Sequence, residues 1–176
     1  MGRKLTIALF SIFFVAALSQ HRSYAKTMPL RMTCHADSAS DSVATRKSLI
    51  VIINKVVEAS SSFEISAVGN LYALNATVAD EEPPFSWNGP TAGAQWVNAV
   101  EKTCKDLKIK KLKGRVGHIS IYLQTGESVY VIVPATYSGD IHGDPFEESG
   151  AFTFVFRLVN GKWLIKSQVW MPRRGL

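Results

Sequence analysis

The spacing of apolar residues changes twice along this chain. Residues 5–18 (LTIALFSIFFVAAL) are almost wholly apolar. Between residues 43 and 107 the apolar positions recur at helical spacing, and beyond Gly114 they alternate as in strands. The window 43–59 predicts a first helix with Leu49, Ile52, Ile53, Val56 and Val57 on its buried face, capped by Asp41 or Ser42. Residues 63–75 predict a second, with Ile65, Val68, Leu71 and Tyr72 aligned. Residues 76–79 are extended, and Pro83-Pro84 stops regular structure. Asn88-Gly89-Pro90 then turns into a third helix, where Gly93, Trp96, Val97, Val100, Cys104 and Leu107 keep the clearest period. A basic run, Lys105, Lys108, Lys110, Lys111 and Lys113, suits the end of that helix.

The second half predicts strands at 115–123, 128–137, 149–159 and 162–171. Residues 138–145, rich in Gly, Asp and Pro, predict a loop. Asn160-Gly161 is the strongest hairpin signal. Helices followed by an antiparallel meander predict an α+β fold, with the helices on one face of the sheet. Both strand faces are apolar: Phe154 and Phe156 against Val155, and Trp163, Ile165 and Val169 against Leu164 and Trp170. An antiparallel sheet usually wets one face. A second copy covering that face, in a homodimer, is therefore expected.

The chain has 176 residues and a formal charge of +6. One domain is expected at that length. Arg3 and Lys4, the apolar run and Ser23-Tyr24-Ala25 form the pattern of a signal peptide over residues 1–25. The run is shorter than the ~20 residues that cross a bilayer. Export to a periplasm or the exterior follows, with no stable membrane span after cleavage; an uncleaved anchor is the rival. Residues 26–40 form a flexible leader, and 41–176 the folded domain. Losing Arg3, Lys4 and Arg22 lowers the charge to +3. That balance does not argue for nucleic acid, and no aromatics interleave with the lysine run. Cys34 and Cys104 suit a disulfide only if the fold brings them close. The apolar stripe around Cys104 favours a buried thiol. Asn75-Ala76-Thr77 matches a glycosylation acceptor, relevant only on a eukaryotic route.

Chemistry-bearing residues crowd into 71–96: Tyr72, Asp80, Glu81, Glu82, Phe85, Trp87 and Trp96. With Phe154 and Trp170 they supply walls for an apolar pocket, and Gln168 and Lys166 supply polarity. Plain core packing is the competing role for each aromatic. Asp80 is the candidate base, and His118 the group that would pair with it in one cavity. A solvated acidic loop is the plainer role for Asp80-Glu81-Glu82. Asp140, His142 and Asp144 alternate in the Gly/Pro segment as turn formers, and no metal site is expected. The sequence contains no phosphate loop, GxSxG, paired CxxC or HExxH, so no cofactor is expected either.

Three stretches carry a resemblance to a known family: Ala76-Thr77-Val78-Ala79-Asp80, Trp87-Asn88-Gly89-Pro90 with Trp96, and the ending FRLVNGKWLIKSQVW. They resemble the nuclear-transport-factor-2-like superfamily, and within it the SnoaL-like and ketosteroid-isomerase-like branch of uncharacterised exported proteins. The resemblance implies a cone-shaped domain, three N-terminal helices on a curved, mostly antiparallel sheet, and a deep pocket. It places Asp80 at the position of the isomerase base and Trp170 at that of a pocket aromatic. The isomerase oxyanion donors, a Tyr and a protonated Asp, fall near Ile53 and Phe154, so that set is incomplete. Three roles stay open: an exported domain binding a small hydrophobic molecule through Tyr72, Trp87, Trp96, Phe154, Gln168 and Trp170; a cyclase or isomerase using Asp80 and His118; or a dimeric interaction module.

Overall fold

A computed structural model describes residues 39–173 of the chain, which all belong to one compact unit, Ala36–Leu176. The expected signal peptide, all but the last two residues of the leader, and Cys34 lie outside the described residues. Helix α1 (Ala39–Ser62) starts ahead of the expected cap at Asp41 or Ser42. Its apolar stripe works as the spacing requires: Leu49, Ile53, Val56 and Val57 are buried. Helix α2 (Ala92–Asp106) buries Trp96, Val97 and Cys104 in the same way.

The described residues hold two α-helices, not three. The window 63–75 forms a short 3-10 turn (Ile65–Val68) and then strand β1 (Tyr72–Ala79). Phe63 already sits at φ 60°, outside helical space. Gly69 ends the 3-10 turn, and glycine inside a helix costs about 1 kcal/mol. The chain beyond Gly69 gains long-range pairing instead. Strand β1 runs parallel to β7 (Lys162–Pro172) and antiparallel to β2 (Ser86–Asn88). Tertiary pairing has overridden a weak helical period.

The sheet has seven strands in the order β2-β1-β7-β6-β5-β3. Strand β4 (Ile121–Thr125) also pairs with β5, along the stretch of its edge that β3 leaves free. All pairs but β1 with β7 are antiparallel. The long members are β5 (Ser128–Ile141) and β6 (Asp144–Val159). They pair from Ser128 with Arg157 to Ile141 with Asp144, so most of the expected loop at 138–145 is strand. Only His142 and Gly143 turn, both at positive φ, as do Asn160 and Gly161 at the next hairpin.

Strand β3 (Ile109–Val116) takes up most of the lysine run. It closes one end of the sheet order, and charged side chains on an edge strand discourage pairing with another chain. The expected strand 115–123 is broken. Strand β3 stops at Val116 opposite Ala135, and β4 resumes at Ile121 opposite Ile132. Between these positions β5 carries Pro134, which has no N–H for a ladder.

The inner face of the sheet carries the core. Val129, Val131 and Val133 of β5 and Phe152, Phe154 and Phe156 of β6 are buried against α1 and α2. A register shift near Lys166 breaks the alternation of β7, so Ile165, Gln168 and Trp170 are all buried. Among the described residues no helix is long and apolar enough to cross a membrane.

Candidate functional site

The hairpin of β5 and β6 extends past β7, which leaves β6 at Gly150, and its far end overhangs α2 and the loop after β1. A cavity of about 640 Å³ lies between them. Helix α2 contributes Trp96, Val100, Thr103, Cys104 and Leu107. The hairpin contributes Tyr137, Ile141, Phe146 and Phe152, and β7 contributes Trp170. Asp80, Glu81 and Glu82 supply an acidic wall.

Aromatic rings form one connected group. Trp96 meets Phe152 edge-on at 6.0 Å between ring centres. Phe152 lies 4.7 Å from Trp170, and Trp170 lies 5.5 Å from Tyr137. Gly150 makes room for this arrangement. A Cβ there would stand 2.5 Å from both Cη2 of Trp170 and the carbonyl oxygen of Met171. A side chain at this position would displace the indole.

Asp80 is half-buried at the end of β1. Its Oδ2 accepts the indole N–H of Trp96 at 2.5 Å, and its Oδ1 accepts the Glu82 amide at 3.4 Å. Burial raises its pKa above the ordinary 3.8, and the bonds from Trp96, Glu81 and Glu82 offset only part of that rise. Glu82 accepts the Thr103 hydroxyl at 2.7 Å, which ties the acidic loop to α2. Burial likewise lifts the Cys104 thiol to about 11, with the Glu82 charge adding to it. Cys104 is therefore a neutral, weakly reactive wall of the cavity.

Tyr137 was not among the residues singled out from the sequence. Its hydroxyl lies 2.7 Å from the Ser60 hydroxyl of α1, which in turn donates to the Val57 carbonyl. Burial keeps the phenol protonated, and the nearby Asp80 charge pushes the same way. The phenol therefore donates its proton to Ser60, and Tyr137 presents its ring to the hollow that the Asp80 carboxylate edges. Alternation on β5 marks 137 as an inner position, but only the overhang of the hairpin makes it a cavity residue.

The other expected site residues divide. Trp96 and Trp170 line the cavity, as Asp80 does. Tyr72, Trp87, Phe154 and Gln168 are buried but are not among its lining residues. Trp87 packs in the core opposite Val78. Tyr72 donates to Gln168 Oε1 at 2.5 Å, and the Gln168 amide nitrogen has no partner. Gln168 sits one inner-face position before Trp170 on β7, deeper in the core. The expected sharing of one cavity by Asp80 and His118 fails. His118 is exposed in the stretch that bulges out opposite Pro134, away from the cavity. Lys166 reaches outward to the Asn75 carbonyl at 2.7 Å rather than sharing the face of Trp170. Asp140 pairs with Lys111 at 2.9 Å, and His142 occupies the tight turn.

No protein-family model matches this sequence, and no curated protein matches it. Solved structures do match. A hexachlorocyclohexane dehydrochlorinase from Novosphingobium barchaimii aligns at a TM-score of 0.64 and 13% identity, over 79% of this chain and 97% of that one. A nuclear transport factor 2-like superfamily protein from Salmonella enterica gives 0.62 and 12%, over 77% and 96%. A protein provisionally assigned as a scytalone dehydratase, from Novosphingobium aromaticivorans, gives 0.61 and 10%, over 77% and 88%. The fold is that of the nuclear-transport-factor-2-like superfamily. At these identities the likeness speaks for the fold alone.

Two substitutions test this geometry. Asp80→Asn is expected to stabilise the protein at about pH 7. The folded-state pKa lies above the unfolded one, so the charged carboxylate costs stability. That cost is absent below 3.8, grows up to the folded pKa and is constant above it. Urea denaturation at both ends of the range measures it, and an Asn variant no more stable than the parent at neutral pH refutes the burial argument. Gly150→Ala is expected to cost about 1–3 kcal/mol through overpacking. It should also change the near-ultraviolet circular dichroism, since the Trp170 indole must move. An unchanged spectrum with unchanged stability would contradict the contact.

Proposed function

We propose that this nuclear-transport-factor-2-like domain binds a small, largely apolar molecule in the cavity between α2 and the overhanging hairpin. One observation carries the reading: a hollow of about 640 Å³ floored by Trp96, Phe152 and Trp170 and edged by the Asp80 carboxylate. Ligand sites usually measure ~300–1,000 Å³ and combine apolar walls with a few polar groups. Export of this domain belongs to the same proposal. It rests on the basic start, the apolar run and the small residues within residues 1–25.

The placement of Asp80 favours a second reading, general-base catalysis in the same cavity. A half-buried carboxylate with a raised pKa can accept a proton from a molecule held against the rings. A panel of small aromatic and aliphatic compounds tests both readings. Binding is followed through the nuclear magnetic resonance signals of Trp96, Thr103 and Trp170, and turnover through product formation. Binders should shift these signals, and Trp170→Ala should weaken them about tenfold or more, roughly 1.4 kcal/mol. Compounds that bind only elsewhere, or none that bind, would remove the binding reading. Turnover that survives Asp80→Asn would remove the catalytic one.

A homodimer through the outer sheet face completes the proposal. Ile121, Leu123 and Met171 are exposed there at 43%, 62% and 41%. Ile121 pairs across to Ile132, and Leu123 to Tyr130, which extends the apolar surface. Sedimentation over a roughly hundredfold range of concentration should find a dimer that Leu123→Glu dissociates. A monomer throughout that range would exclude it.

A further inference from the structure

We infer that the ligand of this cavity carries a positive charge on a compact apolar body, with Asp80 as its counter-ion. The inference rests on the binding reading above and names the class of molecule that the walls select.

Two features of the cavity point the same way. The first is the connected group of rings. Trp96, Tyr137, Phe152 and Trp170 surround one hollow, and no ring in it is charged. The face of an indole or phenol ring is electronegative and attracts an ammonium group, most strongly where water is excluded. The second is the balance of charge. Among the described residues Asp80 and Glu82 line this cavity with no Lys or Arg partner, whereas Glu147 is paired with Arg115. Asp80 is tied directly to the rings, since Trp96 itself donates to it at 2.5 Å.

Asp80 and Glu82 lack cationic partners among the described residues. The ion pairs there include Lys102 with Asp106, Lys105 with Glu101, Lys111 with Asp140, Arg115 with Glu147, and Arg157 with Glu127, and neither Asp80 nor Glu82 is in one. Asp80 is held by N–H groups alone, which fix its position without cancelling its charge. An anionic ligand would meet this wall with repulsion. A neutral apolar ligand would strip water from Asp80 and return nothing. A cationic one replaces that water with an opposite charge and lays its alkyl or aryl body on the rings.

Benzyltrimethylammonium and its neutral carbon isostere, neopentylbenzene, have the same shape and differ in charge. Each is titrated into the full chain, with resonance shifts of Trp96 and Trp170 as the readout. The cation should bind about tenfold more tightly or better, and Asp80→Asn should bring the two affinities together. Affinity of the parent protein for the cation should fall as the pH drops through the folded-state pKa of Asp80, because protonation removes the counter-charge. That arm uses the parent chain and so stands even if the variant misfolds. Equal or tighter binding of the neutral isostere, or a cation affinity indifferent to pH, overturns the charge assignment and leaves the binding reading in place. If neither compound binds while others in the broad panel shift the cavity signals, the charge assignment falls alone. If nothing binds the cavity at all, both readings fall.

Discussion

The continuous pairing of β5 with β6 is the constraint on which this molecule depends. Its inner row, Val129 to Ala135 facing Phe156 to Gly150, is the floor on which α1 and α2 rest. Its outer six pairs, from Thr136 with Ser149 to Ile141 with Asp144, continue past the point where β7 pairs with β6, at Gly150 and Pro172. Side chains on the inner side of that extension have no strand-matched neighbour on the β7 side. Tyr137 and Phe146 therefore face a hollow instead of another strand. Core and cavity are successive parts of one ladder.

Much of this was legible from residue spacing. The stripes of α1 and α2 follow the helical period, and the buried rows of β5 and β6 follow the two-residue period. Asn160-Gly161 turns where its two residues demand positive φ. Where the spacing misled, long-range partners decided. Ile65, Val68, Leu71 and Tyr72 suit a helix, but Tyr72 and its successors gain a parallel partner in β7, ninety residues away in sequence. No local pattern announces such a partner. The lysine run misled for a related reason. Its charges suit a helix end and an edge strand equally, and only the sheet order tells the two apart.

The site was partly legible, and the misses share a cause. Asp80, Trp96 and Trp170 stand where the stretch 71–96 and the last strand suggested. Trp87, Phe154 and Gln168 face inward as well, but toward the core rather than the hollow. Alternation tells inside from outside; it does not tell filled interior from empty interior. That second distinction depends on how far each strand extends, which is a property of pairing. Tyr137 ends the strand that the spacing predicts at 128–137, and only the continuation of β5 to Ile141 makes it a wall of the hollow. His118 was over-read because Pro134, sixteen residues on, interrupts the ladder that would have turned it inward.

The acidic wall then has to be weighed as a feature of a folded protein. A half-buried carboxylate without a cation opposes folding, and Thr103, Trp96 and two backbone amides are committed to keeping the loop of Asp80 and Glu82 in place. A core residue with an apolar side chain at position 80 would avoid that cost. The indole of Trp96 would then lose its acceptor, and the cavity would lose the acid that this bond anchors to the rings. Stability alone gives no reason to hold a charge there. Recognition does, because an anchored carboxylate keeps its geometry before the ligand arrives, and little is lost in ordering it afterwards. On the cationic reading proposed above, the cost to the fold and the selectivity of the hollow are two consequences of one oxygen pair, and a positively charged ligand would offset the first by filling the second.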